Sequence, residues 1–515
     1  MFANDLCRPR LVMRNISKRF GAVQALSDVH FEVAQGEIHA LVGENGAGKT
    51  TLMRILCGLE RADSGTVELD GRPVDIPDPE AAHRLGIGMV HQRFKLIPSL
   101  TVAENVILGS EPHRRGVLDR RAAYAEVARL GKVHHLQVDP GARVGDLSVG
   151  LQQRVEILRL LYRKARILIF DEPTAVLTPQ ETVQLFNILR SLKEQGATII
   201  YISHKLWEVL QISDRVTVLR RGVVQGVLPT READAALLTR LMVGQDITPV
   251  AVEASEPPAS REPLLTLHDV WAIDDQGLPA VKGVSLTVAP GEIVGIAGVE
   301  GNGQRELAEV ILGTRPAVRG RLMLLNNDIT HLPTWRRRLL GLGFIPEDRD
   351  REGVSLDFSL ADNAIATRIR SRAFARGGFL SPQAAAEFCR GLLREFNVVA
   401  PGPGTLARNL SGGNLQKFIV GRELSFSPKV LVAAHPSRGV DVGATRFLHE
   451  RLLALRSQGT GILLISGDLD EILALSDRIA VMFRGEMVGL LPRSEATRDR
   501  VGALMLGRRE EDSVA

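Results

Sequence analysis

Unbroken aliphatic runs, not alternating ones, set the rhythm of this chain. Ile38-His39-Ala40-Leu41-Val42, Ile167-Leu168-Ile169-Phe170 and Thr198-Ile199-Ile200-Tyr201-Ile202 are continuous β-branched or aliphatic stretches. Such runs predict strands covered on both faces, as in a parallel sheet. A helix is predicted over Lys49 to Leu56, directly after a glycine-rich stretch. Between Gln92 and Leu147 the pattern turns helical, and Arg120 to Leu136 is rich in Ala, Leu and charge. The expectation is an α/β core with a small helical subdomain inserted in it.

This pattern occurs twice. Lys49 pairs with Gln304 and Gln92 with Glu347 at a separation of 255, while Ser148–Ser411, Asp171–Ala434, Thr178–Asp441 and His204–Gly467 all stand 263 apart. The register holds within each segment, and the eight-residue difference places an insertion between Glu347 and Ser411. A repeat of this length implies a duplicated domain of about 250 residues. The polar, Pro-rich run Glu253-Ala254-Ser255-Glu256-Pro257-Pro258 has linker composition. The expected layout is one domain over 9–246, a linker over 247–262 and a second domain over 263–508.

Composition narrows the field. A formal charge of +4 on 515 residues lacks the clustered basic stripe of a dedicated nucleic-acid binder. The cysteines Cys7, Cys57 and Cys389 form no metal or redox spacing, which points to a reducing compartment. Met1 to Arg10 lacks the apolar core of a signal peptide, and no stretch approaches the ~20 apolar residues of a membrane span. Work at a membrane would therefore be that of a peripheral subunit.

The chemistry is concentrated in the first half. Gly43-Glu44-Asn45-Gly46-Ala47-Gly48-Lys49-Thr50-Thr51 lies between a predicted strand and a predicted helix. Glycines let backbone amides approach phosphate oxygens, and the helix N-terminus favours an anion. Lys49 places a positive charge on the β- and γ-phosphates, and the Thr50 hydroxyl suits Mg²⁺. Asp171 and Glu172 end a buried strand; Asp171 suits the metal shell, and Glu172 suits polarising the attacking water. Gln92 is placed to bridge the metal and a moving loop, His204 to contact the γ-phosphate, and Phe20 to stack on adenine. The second half repeats the loop as Gly298-Val299-Glu300-Gly301-Asn302-Gly303-Gln304-Arg305, with the lysine and the hydroxyl both replaced.

With Leu410-Ser411-Gly412-Gly413-Asn414-Leu415-Gln416, the motif order resembles the ABC-type ATPases twice over, from Leu11 to about Gly507. The resemblance implies two tandem P-loop ATPase domains, each with a mixed or parallel sheet and an inserted helical subdomain. It also implies a head-to-tail pairing in which each ATP lies between one domain's glycine loop and the other's signature. The intact loop, Asp171, Glu172 and His204 would then face Ser411, Gly412, Gly413 and Asp441. The other composite site would collect Gln304, Arg305, Ala434, His435, Gly467 and the altered signature Ser148-Val149-Gly150, with Thr178 at the crossing position and Gln276 where an aromatic is expected. One hydrolytic and one degenerate site per chain are expected.

A fused pair of this kind resembles the ATP-binding subunits of bacterial simple-sugar and nucleoside importers. Met89-Val90-His91-Gln92, Leu147-Ser148-Val149-Gly150-Leu151 and Ile345-Pro346-Glu347-Asp348-Arg349 lie close to the nucleoside branch, while Arg305 and Arg93 depart from it. The resemblance implies ATP with Mg²⁺, two membrane-spanning permease subunits, an extracytoplasmic substrate-binding protein acting indirectly, no nucleic acid, and peripheral attachment to the cytoplasmic face of the cell membrane. Phe94, Leu96, Ile97 and Phe358 are expected either to line a docking groove for the permease or to pack in the subdomain core. Two other readings differ in class. A ribosome-associated translation factor would carry two intact loops and a long charged linker. A regulatory scaffold without turnover would not need Glu172.

Overall fold

The computed structural model describes residues 9–21, 23–44, 46–91, 94–114, 116–174, 177–244, 262–299, 301–376, 379–440 and 442–507. The chain divides into two compact units, Met1–Thr248 and Pro249–Ala515. The linker run lies outside the described residues, as do Asn45, Gln92 and Asp441 among the candidate site residues.

In the first unit a six-stranded sheet runs Val223–Pro229, Arg215–Arg220, Ile38–Val42, Thr198–Ile202, Ile167–Asp171, Ile87–Val90, parallel except for the first strand. The three aliphatic runs are its central strands. Ile38–Val42 and Thr198–Ile202 are buried at every position, because helices cover one face and a four-stranded antiparallel sheet, Val23–Ala34, Pro9–Phe20, Ser64–Leu69, Arg72–Val74, covers the other. The parallel order brings the C-terminal ends of Ile38–Val42, Ile167–Asp171 and Thr198–Ile202 to one edge, where the glycine loop, the two acids and His204 follow. Ligands of open α/β sheets bind at this edge.

The second unit repeats the plan, with strands ordered Leu342–Ile345, Val430–Ala434, Gly461–Ser466, Ile293–Ala297, Arg478–Phe483, Glu486–Pro492 and a four-stranded antiparallel partner sheet. Its helical piece contains Leu360–Ile365, Pro382–Glu395 and Gly412–Leu424, matching Val102–Ile107, Arg120–Val133 and Val149–Tyr162 of the first unit. The helix predicted over Arg120 to Leu136 stops at Val133, and His135 takes a left-handed φ of 57° two residues later.

The eight extra residues are not one insertion. The separation between equivalent caps is 258 at Thr101 and Ser359, 262 at Asp119 and Ser381, and 263 at Ser148 and Ser411. Three residues therefore enter between Glu347 and Ser359, where the second unit builds the turn Arg349–Gly353, capped by Asp348. Four more enter around the short turn Ala366–Arg368.

Leu96 packs against the first unit's core, whereas Ile97 and Phe358 are exposed. The core reading therefore holds for Leu96, and the exposed pair is left for the docking reading.

Candidate functional site

The glycine loop of the first unit is held by close backbone packing. A methyl on Gly43 would lie 2.2 Å from the Leu219 carbonyl oxygen, and Gly48 has φ 105° with Ala25 O 2.7 Å from where a methyl would stand. Neither position accepts a side chain. Gly48 precedes the helix Lys49–Leu56 and leaves it without a side-chain cap, so its first-turn amides open onto the loop. Thr50 and Thr51 lie in that first turn.

Lys49 is buried, and its Nζ donates to the carbonyl oxygens of Gly43 (2.6 Å) and Glu44 (3.0 Å). Burial lowers its pKa, against the opposing charges of Glu172, Asp171 and Glu44. Burial, then the Glu172 charge, pushes Asp171 up to about 6, with Lys49 acting the other way. For Glu172 burial also works upward, but the His204 hydrogen bond, the His204 charge, Lys49 and Lys205 together hold it below the ordinary glutamate value. The two adjacent carboxyls are thus driven apart, the arrangement that assigns distinct roles to neighbouring acids.

His204 and Glu172 meet directly, with Nδ1 2.9 Å from Oε1. The sequence aims His204 at phosphate; the structure adds that it orients Glu172, a pairing that residue spacing does not reveal. Glu172 itself sits at φ 47°, and its amide donates to Ile202 O at 2.9 Å, which turns the chain out of the sheet at this point. Phe20 ends its strand 45% exposed, with Lys18 Nζ over its ring at 5.4 Å from the centroid.

In the second unit the equivalent place is filled from within. Gln304 Nε2 donates to Val299 O at 3.0 Å, as Lys49 does to Glu44 O, and Gln304 Oε1 accepts from the Asn302 amide at 3.1 Å. The equivalent amide in the first unit, that of Ala47, donates instead to the Glu44 carbonyl oxygen at 3.0 Å, so the two loops differ in the partner of this amide. Arg305 pairs with Glu309 at 2.9 Å and Glu352 at 3.5 Å. His435 takes the Glu172 position at φ 46°, and its Nδ1 accepts from the Gly467 amide at 3.3 Å. A pocket of about 30 Å³ remains, lined by Gly301, Gln304, Arg305, Glu347, Ala434 and His435. It contains no carboxylate in the Asp171 or Glu172 position.

The signatures differ in the opposite sense. Ser148 caps its helix, accepting from Leu151 N at 3.4 Å. Ser411 precedes Gly412–Leu424 without capping it; its Oγ accepts from Asn414 Nδ2 at 3.0 Å, and Asn414 Oδ1 accepts from Val399 N at 3.0 Å. The first-turn amides of the second signature helix thus lack the side-chain cap that the first one has. The Asn414 brace is not evident from the sequence, although Asn at that place in the motif is its visible signal.

Among the described residues no group of three or more His, Cys, Asp or Glu can cage a metal. Mg²⁺ needs no such cage, since it takes one or two protein oxygens and completes its shell with water and substrate phosphates. The Thr50 hydroxyl and the Asp171 carboxyl fit that requirement.

A buried lysine in a glycine loop, a strand-end acid pair and a histidine bonded to one of those acids define a P-loop nucleotide site in the first unit, and the second unit carries Gln304, Ala434 and His435 at the equivalent places. The family described as ABC transporter matches the chain twice, over residues 26–175 and 281–437. The guanosine import ATP-binding protein NupO of Bacillus subtilis is 43% identical over 97% of this chain and 98% of its own length. The nucleoside import ATP-binding protein NupA of Lactococcus lactis is 42% identical over 96% and 97%. The ribose import ATP-binding protein RbsA 1 of Rubrobacter xylanophilus is 43% identical over 96% and 98%. The chain belongs to the ABC transporter family, and it is an ATP-binding ATPase of that family.

Proposed function

We propose that this chain is the energy-coupling ATPase of a nucleoside importer, with simple sugars such as ribose as the second reading, and that it hydrolyses ATP at one composite site. The observation that carries the one-site reading is the complementary asymmetry. The first unit has Lys49, Asp171 and the Glu172–His204 pair, together with a capped signature helix. The second unit has Gln304, Ala434 and His435 at the places of Lys49, Asp171 and Glu172, together with an uncapped signature helix. The names of the relatives support the substrate class, guanosine and nucleosides as well as ribose.

In this reading ATP lies between the first unit's loop and the helix opened by Ser411, Gly412 and Gly413, with Asp441 at the crossing. Gly43 to Thr51 cradle the phosphates, Lys49 neutralises the β- and γ-phosphates, and Phe20 stacks on the base. Thr50, Asp171 and Gln92 would hold Mg²⁺, which when bound neutralises charge on the β- and γ-oxygens. Glu172, ionised and oriented by His204, accepts a proton from the attacking water. Loss of the γ-phosphate removes the group that bridges two opposed helix N-termini, so the halves part.

Among the described residues no helix is long and apolar enough to cross a membrane. Transport therefore requires membrane-embedded permease partners. We place the chain peripherally on the cytoplasmic face, against two permease subunits that receive substrate from an extracytoplasmic binding protein, with exposed Ile97 and Phe358 toward them.

Two experiments test this. Uptake of labelled guanosine by cells should fall when the gene is deleted and return with it; restored ribose uptake alone would move the assignment to sugars. Ser411→Ala should lower the kcat for ATP about 30-fold through loss of a hydrogen bond to a charged phosphate. Gln304→Ala should stay within about 2-fold of the parent, as expected for a residue outside the working site. Equal losses in both variants would sink the one-site reading.

A further inference from the structure

Relative to the first unit, the second gains three residues between Glu347 and Ser359. It builds the turn Arg349–Gly353, with Asp348 Oδ1 accepting from the amides of Asp350 (3.1 Å) and Arg351 (3.0 Å). The turn carries Arg349 to the start of the signature helix. A methyl on Gly412 would lie 2.7 Å from Arg349 Nη2, so the guanidinium packs on the bare α-carbon of the signature glycine. Arg349 Nη1 also donates to the carbonyl oxygens of Arg438 (3.4 Å) and Gly439 (3.3 Å).

Those two carbonyls belong to the turn that leaves the strand Val430–Ala434 and leads to Asp441. The same turn is tied a second time, by an ion pair between the side chains of Arg438 and Glu347. Glu347 is also a lining residue of the altered nucleotide pocket. Its counterpart in the first unit is Gln92 and that of Arg438 is Ala175, so the first unit cannot form this pair. The network is peculiar to the half that has lost its own chemistry.

We propose that Arg349, together with the Glu347–Arg438 pair, is a clamp that locks the second unit's signature and crossing turn into one rigid face for the nucleotide held by the first unit. These are positioning residues. A guanidinium that packs on one loop and donates to the carbonyls of another fixes their separation, and its charge adds to the positive end of the signature helix. The pair at Glu347 transmits the position of the loop behind it, so movement of that loop reaches the face that meets ATP. The proposal rests on the composite-site reading above.

The test uses the full chain and its ATPase activity. Arg349→Ala should lower kcat about 10-fold, the loss expected for charge-assisted hydrogen bonds. Arg349→Lys, which keeps the charge but not the planar fork, should recover part of that loss. Binding of a fluorescent ADP analogue should be unchanged, since ADP lacks the phosphate that the clamped face would meet. Glu347→Arg and Arg438→Glu should each lower kcat about 5-fold, and the double reversal should return it to within about 2-fold of the parent, a coupling that a general loss of fold would not produce. Thermal unfolding of each variant separates weakened folding from lost positioning. Parental activity in Arg349→Ala, with Ser411→Ala impaired, overturns the clamp and leaves the composite site standing. Parental activity in Ser411→Ala instead removes the reading on which the clamp rests.

Discussion

Replacing Glu172 by glutamine is expected to lower the kcat for ATP about 10²- to 10³-fold while leaving ATP binding intact. The size follows from what a positioned general base contributes, commonly 10²- to 10⁴-fold. The direction follows from geometry. Glu172 is held below the ordinary glutamate value by His204 and by the Lys49 and Lys205 charges, in spite of its burial, so at neutral pH it is a carboxylate able to take a proton. Glutamine keeps the shape and loses that capacity. The Lys49 hydrogen bonds to Gly43 and Glu44 do not involve residue 172, so the phosphate cradle persists. His204→Ala should cost less, about 10-fold, because it leaves the carboxylate present but without its 2.9 Å brace. Rapid-quench single-turnover hydrolysis, with nucleotide binding measured in parallel, provides the check. Activity within about 3-fold of the parent in Glu172→Gln would require another group to take the proton.

The sheet core and the first-unit loop were legible because their physics is local. A buried parallel strand must be apolar on both faces, and a phosphate loop must be glycine followed by Lys-Thr, so Ile38 to Thr51 carries its own explanation. The Gln304 substitution was equally visible. Its effect was not, since only the folded loop shows Oε1 accepting from the Asn302 amide. Contacts between distant segments escaped in the same way. Glu172 with His204, Val399 with Asn414, and Arg349 with Gly412 depend on which segments the topology brings together. Motif spacing alone gives a single insertion between Glu347 and Ser411. It is divided because helix caps reset the register at Thr101/Ser359 and Asp119/Ser381. A count of residues between two motifs cannot show where caps fall.

Glu423→Ala is expected to destabilise the second unit by about 3–5 kcal/mol, the cost of leaving buried charge without its partner. Glu423 lies on the signature helix Gly412–Leu424 and is buried with Arg422 and Arg338. Its Oε2 accepts from Arg338 at 2.6 Å and from the Phe344 amide at 3.2 Å, and its Oε1 from Arg422 at 3.1 Å. One carboxylate thus joins the signature helix to the helix Thr334–Leu339 and to the strand Leu342–Ile345, which leads directly to Glu347. The first unit solves the same problem differently, with Glu156 accepting from the Lys95 amide at 2.7 Å and pairing with Arg159. Removing Glu423 strands two guanidinium groups, and for a unit of this size the loss corresponds to a fall of roughly 6–20 °C in its unfolding temperature. Because the chain holds two units, calorimetry should show one transition moving while the other stays. Hydrogen exchange should accelerate first in Gly412–Leu424 and Leu342–Ile345. Acid tests the same group. Burial alone would raise Glu423, but the Arg338 and Arg422 charges, the Arg338 hydrogen bond and the Phe344 amide outweigh it and lower its folded value below 4.5. Its contribution is therefore complete above pH 4.5 and is lost as pH falls from there toward the folded value, where the folded state too takes up the proton. The parent's second unit should lose stability over that range, and Glu423→Ala should lose less of it. An unchanged transition in the variant would mean that the two arginines find other partners, and that the signature helix is not held to the Glu347 strand through this carboxylate.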